Sequence, residues 1–167
     1  MKFYYYGTVY KSKNDKIVLD VYGTGYLLNV INANNFIDKE KQKIYVYELK
    51  TGEMYGFKKY YNYLIFKSLL NVKGLQHYRA INILKQTNAF DLCKSIVEEN
   101  LEKFKLWGLP TSLALKVITN LEKTAIFIID NYINKNNELN EAQNEAQNEA
   151  QKNYNIDFNQ PPFNYEE

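Results

Sequence analysis

Two short segments carry residue types that suit phosphate chemistry: Leu70-Asn71-Val72-Lys73-Gly74-Leu75 and Lys105-Leu106-Trp107-Gly108-Leu109-Pro110. Each sets an apolar residue, a variable residue, a glycine and another apolar residue between two helix-like stretches. That is the outline of a helix-hairpin-helix, a device that aims backbone N–H groups at a phosphate. The tight turn needs a residue that tolerates positive φ and lets another backbone come close, which is glycine. The helix that follows begins with N–H groups lacking intrahelical acceptors, and its dipole favours an anion. For one such turn a plain helical hairpin is the alternative; two in tandem point to phosphate binding. The candidate contacts are Lys73, Gly74, Leu75, Gln76, His77 and Arg79 at the first turn, and Gly108, Leu109, Thr111, Ser112 and Lys116 at the second. For Thr111 and Ser112 two uses stay open, capping the helix or bonding a phosphate. Trp107 is read as a core anchor, with base stacking as the alternative.

Other chemistries find few residues to run on. Cys93 and His77 are the sole cysteine and histidine, so no disulfide within the chain and no His/Cys metal cluster can form. No G-x-x-x-x-G-K-[ST] loop occurs, so an ATP-driven motor must lie elsewhere. No pairing of nucleophile, base and metal ligands suggests an enzyme, and no cofactor is called for. The formal net charge is only +2, so the position of charge matters more than its total. Arg79 is the sole arginine. Asn, Lys, Ile, Tyr and Phe, all residues with AT-rich codons, are abundant, with 16 Tyr and 9 Phe in 167 residues, so raw Lys and Tyr counts are poor functional evidence. The start of the chain lacks the apolar core of a signal peptide, and Ala125–Ile129 is too short an apolar run to span a bilayer. The expectation is a cytoplasmic protein with no membrane association.

The elements that must hold the two turns follow from periodicity. Phe3 to Val9, Lys16 to Val21, Tyr26 to Ile31, Lys43 to Leu49 and Met54 to Phe57 alternate as strands, with turns at 11–15, Gly23-Thr24-Gly25 and Lys50-Thr51-Gly52-Glu53. Asn32 to Glu40 is a polar loop or short helix. Five short strands in about sixty residues suit an OB-type barrel. From Tyr60 the period turns helical. Thr87-Asn88 caps one helix, Asn100 starts another, and Pro110 fits the first position of a long amphipathic helix ending near Asn134. Asn140 to Gln151 is Asn-Glu-Ala-Gln written three times, too short a period and too polar for a core. Spaced aromatics near Pro161 and Pro162 read as an ordinary tail, or alternatively as a docking peptide. The fold class is α+β: an OB-fold barrel (1–62), an all-α tandem helix-hairpin-helix domain (63–134) and a low-complexity, disordered tail (135–167).

A barrel followed by two tandem hairpins resembles the RuvA family, whose members bind Holliday junctions within a branch-migration complex. The matching residues are Gly7 and Val9, Val21-Tyr22-Gly23-Thr24-Gly25-Tyr26, Tyr55-Gly56-Phe57, Phe66-Lys67 and Leu69, Gly74-Leu75, Ala80, Ile83-Leu84, Leu106, Gly108-Leu109, Ala114 and Leu121. The resemblance implies a homotetramer holding an open four-way DNA junction on its hairpin face. It also implies a hexameric RuvB-type ATPase as partner and a RuvC-type junction resolvase as another.

The family's hairpins read G-x-G followed by a basic residue. Here Gln76 and Pro110 stand at the second glycine, and Tyr78, Thr111 and Ser112 stand where its lysines fall. The family's acidic pin, which separates strands at the crossover, maps to the barrel hairpin carrying Glu48 and Glu53; a solvated hairpin tip is the alternative. Its C-terminal three-helix domain is expected to be reduced or absent here. The competing functional readings are a degenerate oligomeric scaffold and a single-stranded-DNA-binding OB protein.

Overall fold

Alternating apolar residues on short strands close a sheet when one face can be buried inside it. In the computed structural model, which describes residues 3–157, β1 (Tyr4–Lys11), β2 (Lys16–Val21), β3 (Thr24–Val30), β4 (Lys41–Glu48) and β5 (Met54–Phe57) form a closed barrel in the order β1-β2-β3-β5-β4. β3 and β5 pair in parallel, and the other neighbours are antiparallel. Val9, Ile17, Leu19, Leu28 and Ile44, one face of the alternation, fill the interior. This is the OB-type barrel expected from the sequence, with one turn tighter than read. Val21 pairs with Thr24, so the turn is Tyr22-Gly23 alone, with φ of 51° and 83°. Two positive φ values match the twist of the flanking strands, and Gly23 N–H donates to Asp20 Oδ1 at 2.8 Å.

β5 is buried on both faces. Tyr55 and Phe57 pack into a helical core, while a Cβ on Gly56 would lie 3.0 Å from Leu28 and 3.1 Å from Ile44. The Tyr-Gly-Phe sequence therefore joins two cores through one strand. The helical core is built by α1 (Tyr60–Leu70), α2 (His77–Gln86), α3 (Ala89–Val97), α4 (Leu101–Leu106) and the first part of α5 (Thr111–Asp157). Asn88 and Asn100 cap α3 and α4, accepting from Asp91 N–H and Lys103 N–H.

The chain divides into two compact units, Met1–Ile129 and Asp130–Glu167. In the first, α5 buries Ala114, Val117, Leu121, Ala125 and Ile128. In the second, the described residues are helical, and each from Tyr132 to Lys152 is exposed. The helix expected to stop near Asn134 thus continues to Asp157. The Glu, Ala and Gln of the repeat are strong helix formers and no Gly or Pro interrupts them. The docking-peptide reading rests on Tyr154 to Phe163, of which residues 158–163 lie outside the described residues.

Candidate nucleic-acid interface

Both glycine turns adopt the geometry that their sequence implies. In the first, Val72 N–H donates to Leu69 O at 3.1 Å and Leu75 N–H to Val72 O at 3.0 Å. Gly74 sits at φ 93°, and α2 begins with Ala80 N–H donating to Gln76 O at 3.1 Å. In the second, Gly108 N–H donates to Lys105 O at 3.0 Å and Leu109 N–H to Phe104 O at 2.9 Å. Gly108 sits at φ 76°, and α5 begins with Ala114 N–H donating to Pro110 O at 2.9 Å. The two turns match position by position: Leu75 and Leu109, Ala80 and Ala114, Ile83 and Val117, Leu84 and Ile118 are all buried. The core side chains hold each turn, and the first N–H groups of α2 and α5 have no intrahelical acceptor.

Gln76 lies at φ −89° and makes no side-chain capping bond, so the family's second glycine is not required for backbone freedom here. Pro110 sits just ahead of α5 rather than within its first turn, and its missing N–H leaves the second turn one donor short. The turns also differ at their apolar start. Val72 is buried, whereas Leu106 is 79% exposed. Trp107 supplies the packing instead, edge-on to Phe104 with ring centroids 5.5 Å apart.

The two turns are neighbours. A Cβ on Gly74 would lie 3.3 Å from Leu113 Cδ2, in the first turn of α5. A groove of about 470 Å³ brings Arg79 of α2 together with Trp107, Gly108 and Leu109. Lys73, Thr111, Ser112 and Lys116 are exposed around the turns. Among the described residues Lys73, Arg79 and Lys116 have no ion-pair partner, and neither the Thr111 nor the Ser112 hydroxyl makes a hydrogen bond. The side chains of Leu75 and Leu109 belong to the core rather than the surface.

His77 is drawn toward the barrel instead. Its Nε2 lies 3.6 Å from Glu53 Oε2. Glu53 Oε1 also accepts from Asn29 Nδ2 and from the Tyr55 hydroxyl, each at 3.1 Å. Burial, and then the Glu53 charge, push the Tyr55 hydroxyl up to about 12. Glu48 is exposed at the end of β4, opposite Met54, so the two acidic residues do not form an adjacent pair and Glu53 is committed to this network. A second contact ties the far end of α2: Lys85 Nζ lies 2.9 Å from Asp15 Oδ2. Hydrogen bonding to Lys85 holds the Asp15 carboxyl below its ordinary value, against an opposing effect of burial. These partners stand too far apart in sequence for any spacing rule to link them.

No family model matches the chain. It is similar to curated proteins named Holliday junction branch migration complex subunit RuvA. With that of Mesomycoplasma hyopneumoniae it is 25% identical over 146 residues, covering 84% of this chain and 65% of the relative. With that of Pediococcus pentosaceus it is 35% identical over 92 residues, covering 53% and 47%. With that of Lacticaseibacillus casei the figures are 27% over 123 residues, 71% and 62%. The chain spans about half to two thirds of the length of these relatives, and the similarity is that of a divergent RuvA-like protein.

Proposed function

We propose that this chain binds four-way DNA junctions by shape, as the non-catalytic subunit of a branch-migration complex acting in recombination and repair. The observation that supports this best is the pair of matched glycine turns, set side by side, each opening a helix whose first N–H groups have no intrahelical acceptor. Backbone amides read phosphate position and not base sequence, so the specificity is for DNA geometry. In this reading the barrel (1–62) is a platform and residues 63–134 carry the DNA contacts. Lys73, Arg79 and Lys116 supply the charge, and Gly74, Gln76, Gly108, Thr111 and Ser112 supply donors or close approach. Residues 135–167 form a tail beyond it.

Four copies form the platform on which the junction lies open. ATP-driven movement comes from a RuvB-type hexamer, and cleavage from a RuvC-type resolvase. The work takes place on DNA in the cytoplasm. No described helix is long and apolar enough to cross a membrane.

A gel-shift competition between a four-way junction, matched duplex and single strand, repeated over a range of salt, tests the reading. The junction is expected to win, and its affinity to fall steeply with salt as counterions are released. Equal affinity for junction and duplex would overturn shape selectivity. A monomer in sedimentation at micromolar concentration would overturn the tetramer.

A further inference from the structure

The groove between α2 and the second glycine turn has a lining that phosphate binding alone does not call for. The residues that line it include two aromatics, Tyr78 and Trp107, two amides, Asn82 and Gln86, and one arginine, Arg79. No Asp or Glu lines it. The other cation there, Lys85, is already matched by Asp15 from the barrel, which leaves Arg79 as the charge without a partner among the described residues. Tyr78 is 46% exposed, so one aromatic wall is open to solvent. Aromatic faces, neutral amides and a single cation, in about 470 Å³, are the chemistry that receives an unstacked base together with its phosphate.

We propose that this groove takes an unpaired nucleobase from a DNA strand held by the two turns, with the base against Trp107 and Tyr78, its polar edge on the Asn82 amide and the adjoining phosphate on Arg79. The strand's source rests on the junction reading, because an open crossover is where bases lose their partners. The groove would then hold a strand once it has separated, a task distinct from gripping the duplex arms.

Trp107 is the sole tryptophan, so its emission, excited where tyrosine does not absorb, reports the groove directly. The full chain is titrated with an oligothymidylate and with an abasic phosphodiester strand of equal length, and junction binding is followed in parallel by gel shift. The oligothymidylate is expected to quench Trp107 and to bind roughly 5-fold or more tightly than the abasic strand, the scale of one base stacked on an aromatic ring. Trp107→Ala can disturb the packing on Phe104, so the deciding variant is Asn82→Ala. It sits on an exposed helical position where alanine favours the helix. Asn82→Ala should weaken oligothymidylate binding by roughly 3-fold or more and leave abasic-strand binding unchanged. Equal affinity and equal emission with the two strands, while the junction still binds, would overturn the base site and spare the junction reading. Base-dependent quenching without junction preference would support the site and overturn the junction reading.

Discussion

At the scale of single residues the two glycines make separable demands. A Cβ on Gly108 would meet nothing within 4 Å, so Gly108→Ala carries only the cost of holding an L-residue at φ 76°, about 1–2 kcal/mol. Gly74→Ala carries the same cost and must also press on Leu113 at 3.3 Å. Urea denaturation should therefore rank Gly74→Ala as the more destabilising of the two; equal losses would mean that Leu113 yields freely, and the reverse order would overturn the ranking. Gln76 gives the complementary test. At φ −89° it gains nothing from glycine's freedom, so Gln76→Gly should be neutral or destabilising by roughly 0.5 kcal/mol. A clear stabilisation would show the backbone to be strained there. On the binding side, Lys73→Ala combined with Arg79→Ala should leave the thermal midpoint nearly unchanged. The same pair should lower the magnitude of the salt slope by about 1 for each phosphate no longer neutralised, and an unchanged slope would remove both residues from the interface.

At the scale of elements, α2 is the piece whose placement matters, because it opens at the first glycine turn and lines the groove. Glu53 meets its first residue and Asp15 its last turn, so the barrel holds α2 at both ends. Asp15 gives the second contact a pH signature. Its folded-state pKa is depressed, so the stabilisation is present above the ordinary value of 3.8 and is lost as pH falls through the lower folded value. Both partners are well exposed, which keeps the effect within about 0.2–1 kcal/mol. Lys85→Met should cost that much at pH 7 and almost nothing near pH 2, measured as a difference in urea midpoints. A cost independent of pH would assign it to packing of the lysine stem. The strands and both turns are legible in the sequence because alternation and glycine placement are local signals. The clamps on α2 are not, since Asp15 and Lys85, or Glu53 and His77, meet only after the barrel has closed. The length of α5 escapes the sequence for a different reason. A repeat without a core reads as tail, although its Glu, Ala and Gln favour helix regardless of burial.

At the scale of the whole compact unit formed by Met1–Ile129, β5 decides whether barrel and helices melt together. Phe57 is buried against Tyr63 and Phe66 on the helical side, while its neighbour Gly56 packs on Leu28 and Ile44 inside the barrel. Removing the Phe57 ring should therefore loosen both cores, and Phe57→Ala should cost roughly 3–5 kcal/mol. Cys93 reads the consequence from a distance. It lies in α3, fully buried, and burial pushes its thiol up to about 12 from an ordinary 9.0. A thiol reagent at pH 8 must then wait for an opening that exposes it. If the unit opens as one body, Phe57→Ala, a change on a barrel strand, should speed labelling of Cys93 by roughly 100-fold or more, in proportion to its measured loss of stability. If labelling stays at the unmutated rate while the barrel is destabilised, the helices open independently. The raised thiol and the raised Tyr55 hydroxyl act in the same direction with pH. Each favours the folded state fully below its unfolded value and loses that contribution as pH rises toward about 12. Stability should accordingly fall on the alkaline side, from about pH 9 upward, and Cys93→Ala should flatten the first part of that fall.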